Sequence, residues 1–447
     1  MERLEQRRNL KSLIVLAIPV ILEQILTTLL QYVDTAMVGR LGAAATASVS
    51  LTTTVNWLIG SSFSAIGVAV VAIVSAAYGA GDSDKIKRVS SQIIIYVVAV
   101  GLVIGALAVG LSPVIPIWMQ ADASIQRQAS IYFGIISMAL VFRASTVICA
   151  CALRAVKDTR TPFVINLLAN VLNVILNYLL IYTAGLGVTG AAIATAVSSA
   201  LAGIAMFIVM MRSQILRCSI RPLRFDRNIF RETVRIGLPA LATSTASCLG
   251  HVVFASLVSS MGTTVFAAHS IALSAEQLFY LPGYGLRSAT STLIGISVGE
   301  DDHDKFKVVE RQSVILTVSM MAFTGLMLFF LANPMMRIFT PDGEVIRQGS
   351  RVLRLIAVSE PLFGLMIVSE GIYYGLGQTK ITFIVATIGS WGIRILSTII
   401  CVHVLHTTLF EVWICMFADN AFRALAMAIP LFSGLDSKYF TKRRQSL

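Results

Sequence analysis

Asp34 falls in an apolar stretch that runs on through Val38, fifteen residues after Pro19. Placing an ionisable side chain in a hydrocarbon interior costs at least about 2.5–3.5 kcal/mol, so such a residue marks function by default. The chemistry open to it is reversible cation loading. Burial favours the neutral form of a carboxylate and a bound cation favours the charged form, so one group alternates between loaded and empty states. The plainer alternative is that Asp34 lies near the outer end of its helix and reaches water. Neutral oxygens recur at helical spacing further on. Asn173 and Asn177 are four apart, and so are Ala191 and Thr195, which puts each pair on one helix face. An asparagine such as Asn173 is, taken alone, more often a packing amide between membrane helices.

The second half carries its own ionisable set: Glu276, Arg287, Glu360, Glu370, Arg394, Asp419 and Arg423. Two readings stand side by side. Glu276, Arg287, Glu370 and Arg394 line a substrate cleft, where the carboxylates attract cationic compounds, or they pair internally, for example a carboxylate with Arg394. Asp419 and Arg423 are spaced i, i+4 and read as a structural ion pair. Phe254, Phe279, Tyr280, Tyr284 and Met366 suit the adaptable apolar wall of a promiscuous pocket, although most aromatic residues in such helices face lipid or packing partners. Pro19 removes an intrahelical hydrogen bond. It is either the hinge that couples Asp34 to closure of a cleft or a static kink.

The elements that position these residues follow from composition. The 447 residues are 56% hydrophobic and 13% charged, against roughly 25% charged in soluble domains. Apolar runs such as 13–30, 92–111 and 314–331 are each long enough to cross a bilayer as a helix, which takes about 20 residues. Backbone polar groups in lipid must be satisfied within the segment, so these runs are helices. They lack the alternation of barrel strands. Twelve spans result, at about 10–38, 46–78, 90–118, 128–152, 162–183, 189–211, 231–258, 267–298, 311–338, 348–374, 382–405 and 411–433, with boundaries good to a few residues. The basic N-terminal stretch leads into the first span rather than into a cleavable signal.

The net charge of +12 is explained by loops rather than by nucleic acid. Connections on one face carry 22 Lys and Arg. The other face carries four: Arg40, Arg127, Arg337 and Arg347. That bias puts both termini and the even-numbered loops in the cytoplasm of an inner-membrane protein. The six cysteines (Cys149, Cys151, Cys218, Cys248, Cys401, Cys415) have no metal-type spacing and read as packing thiols. No phosphate-binding G-x-x-x-x-G-K-[ST] and no H-E-x-x-H is present, so neither an ATP-driven pump nor a zinc enzyme is indicated.

The chain repeats itself at an ungapped shift of 220 residues. Pro19 maps to Pro239, Gly42 to Gly262, Ala47 to Ala267 and Ser50 to Ser270. The charged loop GAGDSDKIKRV (79–89) maps to GEDDHDKFKVV (299–309). Apolar matches arise by chance in membrane sequences, and a charged loop recurring at a constant shift does not. Equivalent loops lie on the same basic face, so the repeats are parallel. The expected fold is an all-α polytopic membrane protein with two parallel six-helix repeats forming a V-shaped cleft. Residues 1–211 form one lobe, 212–230 a cytoplasmic linker and 231–447 the other lobe. Two halves around a central cleft suit a transporter better than a channel, which more often assembles from several subunits.

Several motifs resemble the MATE (multidrug and toxic compound extrusion) transporters. They are PVILEQILTTLLQYVDTAMVGRLG (19–42), LRAVKDTRTPF (153–163), GLGVTGAAIAT (185–195) and AAHSIALSAEQLFYLPGYGLRSATSTLIGISVGE (267–300). The second is similar to the family's LRAxGDTRTP, with Lys157 in place of the usual glycine. The resemblance spans the chain. It implies a monomeric secondary antiporter that needs no cofactor, takes small organic and often cationic molecules and exports them for inward H⁺ or Na⁺. It also implies a cation site in the first lobe, with Asp34, Asn173, Asn177, the Ala191 carbonyl and Thr195 as ligands and Tyr132 beside them. Asn177 departs from the family's aspartate. One carboxylate in place of two weakens the case for Na⁺, a hard cation that prefers charged oxygens, and favours H⁺. Under the same resemblance the first helix bends at Pro19 when the carboxylate is protonated. Glu276 falls where the eighth helix often has glutamate. Ser247 and Phe363 stand where some branches have second-lobe carboxylates, which implies that their site is absent here. The rival within transport is a flippase or exporter of a lipid-linked or anionic metabolite on the same two-lobed fold.

Overall fold

The computed structural model describes residues 2–217 and 225–433. Cys218, Arg221 and Arg224 of the expected linker and the basic tail from Leu435 lie outside the described residues. No strand occurs among the described residues. In the first half, α1 (Glu2–Gly39) runs unbroken through Pro19, and α2 (Ala43–Leu51) and α3 (Thr53–Gly79) follow. Next come α4 (Ser83–Leu111), the single turn α5 (Ile115–Trp118), α6 (Ala123–Met138), α7 (Leu140–Ala155), α8 (Arg160–Asn177) and α9 (Gly187–Arg212). α8 continues into a π-helical segment, Tyr178–Thr183. The second half has α10 (Arg227–Ser259), α11 (Thr263–Gly299), α12 (His303–Phe339), α13 (Gly343–Gly375) and α14 (Thr379–Thr387). A π-helical segment Ile388–Ile395, α15 (Leu396–Ile399), a second π-helical segment Ile400–Val404 and α16 (Leu409–Phe432) complete it.

Among the described residues ten helical spans are long and apolar enough to cross a membrane. The pair α6 and α7, bent by 50° at their break, makes an eleventh. The remaining expected span is α11. Its 37 residues are long enough, but His269, Glu276 and Arg287 interrupt its apolar run. Several spans begin earlier than the apolar pattern indicates. α4 starts at Ser83 and α12 at His303 because Asp82 accepts the Lys85 backbone N–H at 2.8 Å and Asp302 that of Lys305 at 2.9 Å. The recurring charged loop is thus a pair of helix starts, each capped by an aspartate. Asp122 caps α6 likewise through Ser124 N at 2.8 Å, and this bond holds its carboxyl below the usual carboxylate range.

The backbone repeats along with the residues. Gly42 and Gly262 have φ of 111° and 117°, and Lys157 and Gly377 both have φ of 69°. The family's glycine before the DTRTP segment therefore serves a left-handed turn, and this chain bends a lysine into it.

Packing divides the chain into two compact units, Leu22–Gly237 and Met1–Ile21 with Leu238–Leu447. Each boundary cuts a helix beside a proline, after Ile21 in α1 and ahead of Pro239 in α10. In the first unit Phe63, Ile93, Phe133, Ile148 and Met206 lie in one buried cluster. α7 and α9 approach so closely there that a Cβ on Gly203 would stand 2.3 Å from the Phe142 carbonyl oxygen. In the second unit Leu13, Leu16 and Ala17 of α1 pack with Leu286, Leu293 and Met427. A separate cluster holds Phe254, Phe279 and Trp413. The five described cysteines are free thiols.

Candidate functional site

α1 and α8 are joined by polar pairs at one constant separation. Glu23 accepts from Asn166 Nδ2 at 2.7 Å, Asn170 Nδ2 donates to Thr27 Oγ1 at 3.3 Å, and Asn177 Nδ2 donates to Asp34 Oδ1 at 2.8 Å. Every pair is 143 residues apart. Positions 23, 27 and 34 on one helix and 166, 170 and 177 on the other follow the i, i+4, i+11 spacing of a single face. A constant offset means that the two helices run parallel and in register. The fourth position pairs Leu30 with Asn173, and a leucine offers nothing to an amide. The Asn173 amide lies instead against Asn177, Ser198 and Thr195, at 3.1, 3.2 and 3.4 Å.

Asp34 is half-buried, whereas Asn173 and Asn177 are 7% and 2% exposed. A cavity of about 360 Å³ is lined by Asp34, Asn173 and Thr195 together with Glu23, Thr27, Asn166 and Arg143. Tyr132 lies within electrostatic reach of both Asp34 and Arg143 and packs beside Met37 in a cluster with Ala191, Val38 and Ile181. Asp34, Asn173 and Thr195 therefore share one cavity wall, Asn177 reaches Asp34 from beside it, and Tyr132 and Ala191 adjoin. Among the described residues no three His, Cys, Asp or Glu side chains converge as a metal cluster. The donor set is one carboxylate with neutral amide and hydroxyl oxygens, which suits a proton or a weakly held hard cation.

The surroundings of the Asn173 amide fix its orientation. Its nitrogen donates to both Asp34 oxygens at 2.9 and 3.1 Å, and its Oδ1 accepts from Ser198 Oγ at 3.2 Å.

Glu23, Arg143 and Arg154 are functional candidates that the motif reading passes over. Glu23 receives Arg154 Nη2 at 2.7 and 2.8 Å from its two oxygens. Two signals stood in the sequence: Glu23 and Arg143 interrupt apolar spans, and the asparagines at 166, 170, 173 and 177 share one face.

The second unit sets its buried arginines against carboxylates. Arg287 donates to Glu370 at 2.9 Å and lies over the Tyr284 ring at 4.6 Å. Asp419 receives Arg423 at 2.5 Å and Arg394 at 2.8 Å, and Arg394 also reaches Asn420 at 3.3 Å. A Cβ on Gly389 would stand 2.3 Å from Asp419, so a glycine is what lets this cluster close. Glu276 is 8% exposed and within electrostatic reach of Arg394. Glu360 is 1% exposed with neither carboxylate oxygen hydrogen-bonded. Phe254, Phe279 and Met366 are buried, and Tyr280 packs against Tyr284 and Phe363. Under the repeat, Asp34 corresponds to Phe254 and Ser198 to Ala418, the neighbour of Asp419. The Arg394 guanidinium stands 5.8 Å from the Phe254 ring.

The profile of the MatE family matches residues 19–179 and 239–400, one copy in each half. "Probable multidrug resistance protein NorM" of Thermotoga maritima is 27% identical over 95% of this chain and 92% of its own. "Multidrug resistance protein MdtK" of Edwardsiella ictaluri is 25% identical over 86% of each. Among solved structures, an outward-facing multidrug resistance MATE family transporter of the MOP superfamily superposes with a TM-score of 0.91 at 20% identity, covering 97% of both chains. A MATE structure in the bent conformation also gives 0.91, at 21% identity over 99% and 98%. The chain belongs to the MATE family of transporters and has their fold.

Proposed function

We propose that this protein is a secondary antiporter of the inner membrane, with both termini cytoplasmic. It exports small organic, often cationic compounds in exchange for inward H⁺ or Na⁺. Asp34 is the coupling carboxylate. Asn173, Asn177 and Thr195 complete its site, and Tyr132 and Ala191 form the adjoining wall. The observation that carries this reading is the Asp34–Asn177 hydrogen bond in a polar cavity. In that cavity Asn173 presents its amide nitrogen to the carboxylate. The names of the relatives supply the substrate class. One carboxylate in place of two favours H⁺ over Na⁺. Pro19, next to the boundary between the packing units, is the hinge of the first helix, in keeping with a relative described in a bent conformation. The protein works as a monomer.

Export of a lipid-linked or anionic metabolite ranks second. It would use free cations in the second unit, where Arg287 is held by Glu370 and Arg394 and Arg423 share Asp419.

Counter-transport in proteoliposomes tests the proposal. Ethidium efflux is followed under an imposed pH or Na⁺ gradient, in wild type and in Asp34→Asn. Uphill movement driven by one gradient and lost in the variant is the expected result. Normal transport by the variant removes Asp34 from the mechanism. Failure of both gradients in wild type removes organic cations as the substrate class.

A further inference from the structure

Four charged side chains gather around the cavity of the first unit: Glu23, Asp34, Arg143 and Arg154. Glu23 and Arg154 neutralise each other through a two-oxygen contact at 2.7 and 2.8 Å. That leaves one anion and one cation, Asp34 and Arg143, lining the same 360 Å³ cavity. Neither makes an ion pair with any described residue, and the hydrogen bond that Asp34 does receive comes from a neutral amide. Arg143 stands in the first turn of α7, just past its 50° break from α6. Its guanidinium rests against Gly60 of α3, where a Cβ would come to 3.1 Å. Tyr132 lies within electrostatic reach of both groups.

We infer that Arg143 is the tethered counter-ion of Asp34: the guanidinium and the coupling cation compete for one carboxylate, and Arg143 takes the place of the cation when it leaves. This rests on the reading of Asp34 as the coupling site. An isolated carboxylate in low dielectric holds any cation tightly, because release strands a bare charge. A built-in cation on a long stem removes that penalty. It permits release without conferring permanent occupancy, because its guanidinium rests against Gly60 in the other state. The glycine leaves room for the planar group in that state. The remaining neighbours of Asp34 are neutral: Asn173 and Asn177 on α8, Thr195 on α9 and the Tyr132 phenol on α6.

The second unit shows a guanidinium seated on a buried carboxylate. At the place the repeat assigns to Asp34 stands Phe254, and the place it assigns to Ser198 is Ala418, the neighbour of Asp419. There a guanidinium, Arg394, sits on the carboxylate at 2.8 Å and faces the ring. In that unit the tethered cation is already bound. In the first unit it stands apart from its carboxylate.

The test measures efflux in proteoliposomes against the concentration of the driving ion, Na⁺ and H⁺ being tried separately. Arg143→Gln is expected to lower the half-saturating concentration of the driving ion by roughly tenfold or more, the effect of an opposite charge a few ångströms from a carboxylate. Its turnover at saturation is expected to fall, because the ion then leaves slowly. A purely structural arginine would lower turnover without tightening the ion. Arg143→Lys keeps the charge and is expected to stay near wild type. Arg143→Met serves as a second neutral variant if Arg143→Gln does not accumulate. An unchanged or raised half-saturating concentration in the neutral variants overturns the counter-ion assignment. Asp34→Asn is measured alongside. Retained coupling in that variant overturns the Asp34 reading itself, whereas lost coupling there with an unaltered Arg143→Gln overturns only the counter-ion.

Discussion

Asn177 donates its side-chain nitrogen to Asp34 across 2.8 Å, and this contact is the last rung of a ladder that begins at Glu23 and Asn166. About three helical turns, roughly 16 Å, separate the two ends along α1. The ladder fastens α1 to α8 from Glu23 onward, one turn beyond Pro19. Any bending of α1 that spares these bonds is confined to the segment before Glu23, where the boundary between packing units falls.

Asn177→Asp restores a second carboxylate beside Asp34. Hard cations prefer charged oxygens, so Na⁺-driven efflux is expected to appear or to reach half-saturation at roughly tenfold lower Na⁺. The measurement is ethidium efflux against external Na⁺ at fixed pH. No response to Na⁺ would show that Asn177 does not face the ion.

Glu23→Gln leaves the Arg154 guanidinium without its carboxylate, at a site where the side chains are 9% and 15% exposed. Removing one member of a buried pair costs about 3–5 kcal/mol. Thermal unfolding in detergent is expected to fall sharply for this variant and to recover in Glu23→Gln/Arg154→Gln, which removes both charges.

Lys157→Gly is expected to stabilise the protein by about 1 kcal/mol. Lys157 holds φ of 69°, a conformation costing a side chain with a Cβ roughly 1–2 kcal/mol, and the entropy of an unfolded glycine offsets part of the gain. Gly377→Lys, at the repeat-related turn with the same φ, is expected to destabilise. Paired melting curves decide it.

Gly203→Ala drives a methyl group to 2.3 Å from the Phe142 carbonyl oxygen, a backbone atom that cannot swing aside. Overpacking of this kind costs about 1–3 kcal/mol. Gly110→Ala on α4 meets nothing within 4 Å and is expected to be neutral or mildly stabilising. Equal melting points for the two variants would refute the close approach of α7 and α9.

Helix content, the two-fold repeat and the family were all legible in the amino-acid order. Length and hydrophobicity of a span depend only on neighbours along the chain. The 220-residue shift compares residues with residues, and the structure answers it with paired caps at Asp82 and Asp302 and paired turns at Gly42 and Gly262. Asp34, Asn173, Asn177 and Thr195 could be named beforehand for the same reason, as polar side chains at helical spacing inside apolar runs. Which charges pair was a different matter. Arg287 with Glu370, Arg394 with Asp419 and Glu23 with Arg154 join helices 83, 25 and 131 residues apart. Spacing along one helix says nothing about partners on another. The register of α1 against α8, and with it the placing of Leu30 opposite Asn173, is set by how the two surfaces interlock. The left-handed turn at Lys157 belongs to the same class, since only the packed ends of α7 and α8 force a lysine into it. Local pattern determined which residues are polar, helical and repeated. Tertiary packing decided which of their charges cancel, and so left Asp34 and Arg143 facing one cavity without ion-pair partners.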